Sequence, residues 1–231
     1  MMQLYNADCM DILKSIEDNS IDLVLTDPPY DHNNSGGGSS ALGGRTVKLK
    51  QDINFMSHSF DMGGVFQELL RVCKIPNMLI FCSNKQISKI MSYFEDRGYT
   101  ATLLCWVKTN PIPTMNGNYL SDIEYCVYIR DKGVTFNNDV PYDYKRKAYI
   151  SGLVSTDRFH PAQKPDALIK RYLTVHSKEG DTVLDCFMGS GTTGVWCKKL
   201  GRDFIGIEID KKYYDIAEKR IGGAHKEVKL F

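Results

Sequence analysis

The segment TVLDCFMGSGTTG, residues 182–194, constrains this chain more than any other. An apolar run passes directly into glycines and then into a helical pattern, the order of a strand, a tight turn and a helix. Gly189, Gly191 and Gly194 form a G-x-G-x-x-G spacing, and Glu208 stands 19 residues after Gly189, at the end of the next apolar run. Glycines let a backbone approach a ligand closely, and a carboxylate at that distance can hold ribose hydroxyls. The pattern points to a ligand containing a nucleoside; its plainer reading is a strand-to-helix turn with no ligand. A P-loop would need Gly-Lys-Ser/Thr, and no lysine follows Gly191, which argues against ATP. Only 37 residues follow Gly194, room for about one more strand and helix, so the remaining strands must come from upstream. A dinucleotide fold normally begins with this motif. A dehydrogenase built on this chain would therefore be a permuted one.

Upstream, short apolar runs alternate with helical patterns, which predicts an α/β domain with a largely parallel twisted sheet and helices on both faces. Strands are expected at 21–26, 78–83, 101–107, 123–129, 182–187 and 203–209, and helices at 9–17, 61–73, 85–97, 165–177, 191–200 and 211–220. A length of 231 residues with 42% hydrophobic content suits one well-cored domain. The net charge of +1 neither suggests nor excludes nucleic acid, because a basic face can sit on a neutral total. The start, MMQLYNADCMD, lacks the features of a signal peptide, and no apolar stretch reaches the ~18 residues of a membrane helix. A cytoplasmic chain without membrane contact is expected. The seven cysteines are scattered and none form C-x-x-C, so no metal site is expected.

Asp27, Pro28, Pro29 and Tyr30 directly follow the apolar run IDLVLT. Ligands of open parallel sheets bind beyond the carboxyl ends of the strands, so this tetrapeptide stands where chemistry is expected. Two prolines fix φ and remove two donors. Acceptors remain: the Asp27 carboxylate and the Pro28 carbonyl. Two acceptors match the two hydrogens of an amino group on a base, a poor nucleophile because its lone pair is delocalised into the ring. Pulling on both hydrogens favours a pyramidal nitrogen with its lone pair available. Tyr30 offers an aromatic face to a base that has left its stack. Taken alone, the same four residues also make a rigid turn.

Six segments in this order resemble the beta-class DNA amino-methyltransferases: NADCMDIL (6–13), LTDPPY (25–30), WVKTNPIP (106–113), HPAQKP (160–165), DCFMGSGTTG (185–194) and GIEID (206–210). The resemblance implies a single Rossmann-like class I methyltransferase domain with circularly permuted motif order and S-adenosylmethionine as cofactor. It implies that Asp27, Pro28, Pro29 and Tyr30 hold the target base. Asp185, Phe187, Gly189, Gly191, Thr192 and Thr193 would line the cofactor and Glu208 would bind its ribose. Asp8, with the Cys9 backbone, would read the cofactor's adenine ring. His160 and Lys164 would lie near its methionine end, where Lys164 would pair with the carboxylate. Trp106 and Lys108 read as structural. The implied activity is methylation of adenine N6 in DNA. Alternatives are cytosine N4, for which the family more often carries Ser in place of Asp27, an RNA adenine, and a non-catalytic DNA-binding subunit.

Two segments remain for target contact. In residues 31–44, five of fourteen residues are Gly and three are Ser, which makes 31–57 an expected mobile substrate loop. Residues 130–159 form an expected small target-recognition segment. There Lys145, Arg146 and Lys147, with tyrosines beside them, suit phosphate contact and stacking, or else form a solvated hairpin. A homodimer would extend so small a footprint.

Overall fold

The computed structural model describes residues 1–29, 61–111, 113, 119–153, 159 and 163–226. Eight strands lie among them: β1 (Met2–Tyr5), β2 (Leu23–Thr26), β3 (Asn77–Cys82), β4 (Thr100–Lys108), β5 (Ile123–Arg130), β6 (Ala148–Ser151), β7 (Thr182–Asp185) and β8 (Asp203–Ile207). They form one sheet in the order β1-β8-β7-β2-β3-β5-β4-β6. Every pairing is parallel except the two made by β5, which runs against β3 and β4. The α-helices are α1 (Cys9–Leu13), α2 (Met62–Val72), α3 (Ile87–Glu95), α4 (Asp166–His176), α5 (Thr192–Lys199) and α6 (Lys211–Gly223).

The apolar runs are continuous because both faces of the sheet are covered. Successive side chains of a strand point to opposite faces. Leu23 and Leu25 of β2, with Leu79 and Phe81 of β3, enter one core; Val24, Met78, Ile80 and Cys82 enter the other. The first core is closed by Leu168, Ile169, Tyr172 and Leu173 of α4, Val195 and Trp196 of α5, and Ala217 and Ile221 of α6. The second is closed by Leu13 of α1, Val65, Phe66 and Leu69 of α2, and Ile90 and Phe94 of α3. Each fully buried Leu, Ile or Phe contributes about 1.5–3 kcal/mol relative to exposure.

This division of helices follows from the handedness of crossovers. From β2 the chain steps outward to β3; from β7 it steps the other way to β8. Right-handed crossovers in opposite directions lay their helices on opposite faces. The two directions diverge between β7 and β2, and at such a divergence the loops beyond the strands leave a crevice.

Two expectations change. β1 was not anticipated: MQLY is short and only partly buried, and it is a strand because β8 accepts it as a parallel edge partner, Met2 opposite Phe204 through Tyr5 opposite Ile207. The helix expected over 9–17 stops at Leu13. Within the described part of 130–159, Tyr142–Lys145 form a 3-10 helix and β6 adds an eighth strand beside β4. The buried Arg171 of α4 fixes this stretch by donating to the carbonyls of Tyr144, at 2.9 Å, and Arg146. The expected loop 31–57 lies outside the described residues.

Candidate active site

Pairing of β7 with β2 sets Leu23 opposite Val183 and Val24 opposite Leu184. The two strands therefore end side by side, and their last residues, 159 positions apart in sequence, bond directly. Thr26 Oγ1 donates to Asp185 Oδ1 at 3.0 Å, and the Phe187 amide donates to the same oxygen at 3.2 Å. Thr193 of α5 bonds the same carboxyl group. Asp185 is thus buried at the root of the glycine turn, tying it to the strand that carries Asp27. Burial pushes its carboxyl up to about 7, against the pull of these donors and with help from the nearby Asp27 charge.

The turn itself is built from backbone. Gly189 and Gly191 have φ of +52° and +80°, the left-handed region that favours glycine. The Gly189 amide donates to Glu208 Oε2 at 3.0 Å and the Asp210 amide to Glu208 Oε1 at 2.8 Å. Burial raises the Glu208 carboxyl above its ordinary value, and these backbone donors oppose the rise. A carboxylate has about four lone-pair sites, so two such bonds leave capacity for a diol. On the outer side, Arg220 of α6 donates to Ser190 O at 2.5 Å and lies 3.3 Å from Thr192 Oγ1. Sequence reasoning did not single out Arg220; nothing in its surroundings marks it before α6 is docked.

Packing inside the protein also demands glycine at 191. A Cβ there would sit 2.8 Å from Ala217 Cβ and 3.0 Å from Ala217 Cα, both on α6. A Cβ on Gly194 would likewise strike Ile221 and Phe204, at 2.4 and 2.7 Å. These two glycines admit α6 and β8 to the back of the turn.

Asp8 caps α1, accepting from the Met10 amide at 2.8 Å, and is exposed beyond the end of β1. Cys9 is buried, and burial together with Asp8 pushes its thiol up to about 12, so it stays protonated. Asn6 bonds the carbonyls of Glu208 and Ile209, at 2.8 and 3.1 Å, which places Asp8 and Glu208 at neighbouring strand ends. Ile209, 56% exposed beside Glu208, is an apolar surface at this mouth that sequence reasoning passed over.

On the other side of the crevice stands Asp27. Lys164 Nζ lies 2.5 Å from Asp27 Oδ2 and 3.1 Å from Glu124 Oε2, and Lys108 Nζ lies 2.9 Å from Glu124 Oε1. Lys164, expected at the methionine carboxylate of a cofactor, is engaged here by two protein carboxylates instead. It is only 6% exposed and rests 4.8 Å over the Phe81 ring. Glu124 was not foreseen, and Lys108 has more than a structural surrounding. The Pro29 carbonyl faces Gln86 Nε2 at 3.5 Å, a long contact from a side chain that is itself fixed by Ser83. Tyr30 and His160 lie outside the described residues.

Lys145, Arg146 and Lys147 are exposed and sit just before β6. Four strand steps separate β6 from β2, about 19 Å at ~4.8 Å per step. The structure does not bring them to the crevice. Among the described residues, no group of His, Cys, Asp and Glu could hold a metal ion, and no helix is long and apolar enough to cross a membrane.

An N6/N4 DNA methylase family model matches residues 21–219. The chain belongs to this family. Among its relatives is the type II methyltransferase M2.LlaDCHI of Lactococcus lactis subsp. cremoris, 31% identical over 94% of this chain and 88% of that protein. The crystal structure of the M1.HpyAVI–SAM complex superposes with a TM-score of 0.74 at 29% identity, covering 96% of this chain and 99% of that one. The cytosine-N4-specific PvuII DNA methyltransferase, 14% identical, shares the fold with a TM-score of 0.73 over 100% of this chain and 88% of its own. As an N6/N4 DNA methylase, the chain has the class I methyltransferase fold, and the divergence of β7 and β2 is where that fold's two halves meet.

Two outcomes follow for the DNA methylase turn. Gly191→Ala is expected to destabilise the ligand-free protein by about 2–5 kcal/mol, from left-handed strain plus overlap with α6. Denaturant unfolding checks this; unchanged stability with lost cofactor affinity would return Gly191 to the ligand. Asp185 titrates higher when folded than its ordinary 3.8. Its favourable contribution is therefore complete below about pH 4 and is lost as pH rises through about 7. Asp185→Asn should remove this part of the stability decline across that window, as measured by unfolding at a series of pH values.

Proposed function

We propose that this DNA methylase transfers a methyl group from S-adenosylmethionine to N6 of an adenine turned out of the DNA helix. The observation that carries the reading is the position of Asp27: at the end of β2, across the divergence from the glycine turn, on a carboxylate fixed by Lys164. The donor set of the turn fits a nucleoside. Glu208 would receive the ribose hydroxyls beside Gly189 and Gly191, Asp8 and the Cys9 backbone the adenine ring, and Ile209 would give that ring an apolar surface. Phe187, Thr192 and Thr193 would shape the remaining wall, Asp185 holding it from behind. His160 is assigned to the methionine end. When bound, the cofactor supplies a methyl group already activated on a sulfonium, so no metal is required.

The protein's own contribution is to prepare the amine. Asp27 and the Pro28 carbonyl would each accept one amino hydrogen, and the Gln86 contact to Pro29 supports the orientation of this backbone. Tyr30 would stack on the base. Held by these two acceptors, the nitrogen would take the methyl carbon and shed one proton, while the cofactor would supply that carbon with a sulfur able to keep the bonding electron pair. Lys145, Arg146 and Lys147 would meet backbone phosphates several base pairs from the target.

Asp27→Ala should lower turnover by about two to four orders of magnitude while cofactor affinity stays within a few-fold. Labelled cofactor, DNA and nucleoside mass spectrometry measure this directly. N6-methyladenine is the expected product; N4-methylcytosine would move the assignment to the other base, and near-normal turnover of the mutant would remove Asp27 from the mechanism. Replacing Lys145, Arg146 and Lys147 together by alanine should flatten the slope of log affinity against log salt by up to about 2–3 units, alike for all sequences. A titration that overlays the wild type would exclude the triplet from phosphate contact.

A further inference from the structure

Four charges of alternating sign run from the centre of the sheet toward β4: Asp27, Lys164, Glu124 and Lys108. They come from four places in the chain. Asp27 follows β2, Lys164 precedes α4, Glu124 lies near the start of the antiparallel strand β5, and Lys108 ends β4. β5 enters the sheet in reverse, so its first residues reach the same end of the sheet as the last residues of β3 and β4: Tyr125 stands opposite both Cys82 and Cys105, and Glu124 opposite Trp106. A parallel strand in this place would put its first residues at the far end.

The side chain of Lys164 is only 5% exposed, and a buried ammonium needs anionic partners. Asp27 alone would satisfy that need, but a one-to-one pair would cancel most of the negative potential Asp27 presents to an incoming amine. As methyl transfer proceeds, positive charge develops on the amino nitrogen, and a carboxylate beside it is useful only while its field is felt there. Glu124 divides the claim on the ammonium. With it, the inner three groups carry a net charge of −1, and Lys108, at the outer end of the row, balances Glu124 from its other oxygen. Burial alone would raise the Glu124 carboxyl, yet the two lysines hold it below its ordinary value, and Asp27 and Glu124 keep Lys164 above its own despite burial.

We propose that Glu124 is a positioning residue for methyl transfer: acting through Lys164, it fixes the Asp27 carboxylate and preserves its negative field toward the target amine. Glu124 touches neither base nor cofactor in this arrangement. The proposal rests on the reading of Asp27 as the acceptor for that amine.

The test is a kinetic comparison of Glu124→Gln, Lys164→Met and the double variant on DNA. Glu124→Gln keeps size and removes the charge; its one carbonyl oxygen can still accept from Lys164, with the amide nitrogen then turned toward Lys108. It should lower kcat about 10- to 100-fold, leave KM for DNA and calorimetric affinity for S-adenosylmethionine within about two-fold, and leave the unfolding midpoint nearly unchanged. Because Glu124 acts through Lys164, the double variant should be no slower than Lys164→Met alone. A normal kcat in Glu124→Gln, a loss confined to KM, or a double variant whose loss is the product of the two single losses would each overturn the proposal. If Lys164→Met does not fold, the kcat-against-KM result for Glu124→Gln decides alone. Asp27→Ala separates the two levels: an active Asp27→Ala protein defeats the underlying reading, whereas an inactive one beside a fully active Glu124→Gln protein defeats only this inference.

Discussion

The pairing of β7 with β2 is the contact on which the rest depends. It joins the last third of the chain to the first, and it does so at the point where the sheet's crossovers change direction. Once those strands lie side by side, the glycine turn and Asp-Pro-Pro emerge together, and the buried bond from Thr26 to Asp185 links them through side chains as well. A nucleoside held by the turn and a base held by Asp27 would then share one crevice without a second domain to shape it. The permuted order of the motifs has no structural cost for the same reason. A parallel sheet needs its strands adjacent in space and equally directed; their order along the chain does not enter.

The packing behind the turn explains why its sequence is so restricted. α5 starts beneath the turn with Thr192, Thr193, Gly194, Val195, Trp196 and Cys197 all buried, and α6 presses Ala217 and Ile221 against it. Glycine at 191 and 194 is therefore demanded from the protein side, by helix packing, and glycine at 189 by a left-handed φ beside Glu208. The ligand side inherits a smooth backbone surface as a consequence. A spacing that reads as ligand recognition is here also a packing requirement.

Most of the architecture was legible because both faces of the sheet are covered, which makes β2, β3, β7 and β8 plain apolar runs. What escaped had no local signal. β1 is a strand only by virtue of β8, and β6 only by virtue of β4. The reversed direction of β5 cannot be read from IEYCVYIR, since an apolar run has the same pattern in either direction. Glu124 and the partners of Lys164 were hidden by that same ambiguity. Asp27 and Glu208 stood out because each closes an apolar run at a recognisable motif; Glu124 opens one, and its position at the same end of the sheet follows only from the reversal.

That reversal gives the antiparallel strand a function beyond closing the sheet. Parallel strands offer their carboxyl ends to a ligand and bury their amino ends on the far side, so each strand has one residue or two with which to build a site. β5 adds the other end of a strand to the same rim, and with it a carboxylate that reaches Lys164 from beyond β3. The ion-paired row therefore spans from β2 to β4 across the middle of the sheet. Rigid anchorage suits the role proposed for Asp27: a carboxylate that is to meet an amine hydrogen is best held by groups that cannot themselves rotate away. Lys164, packed over Phe81 and bonded to two carboxylates, meets that condition better than a lysine reaching into solvent for a cofactor carboxylate would.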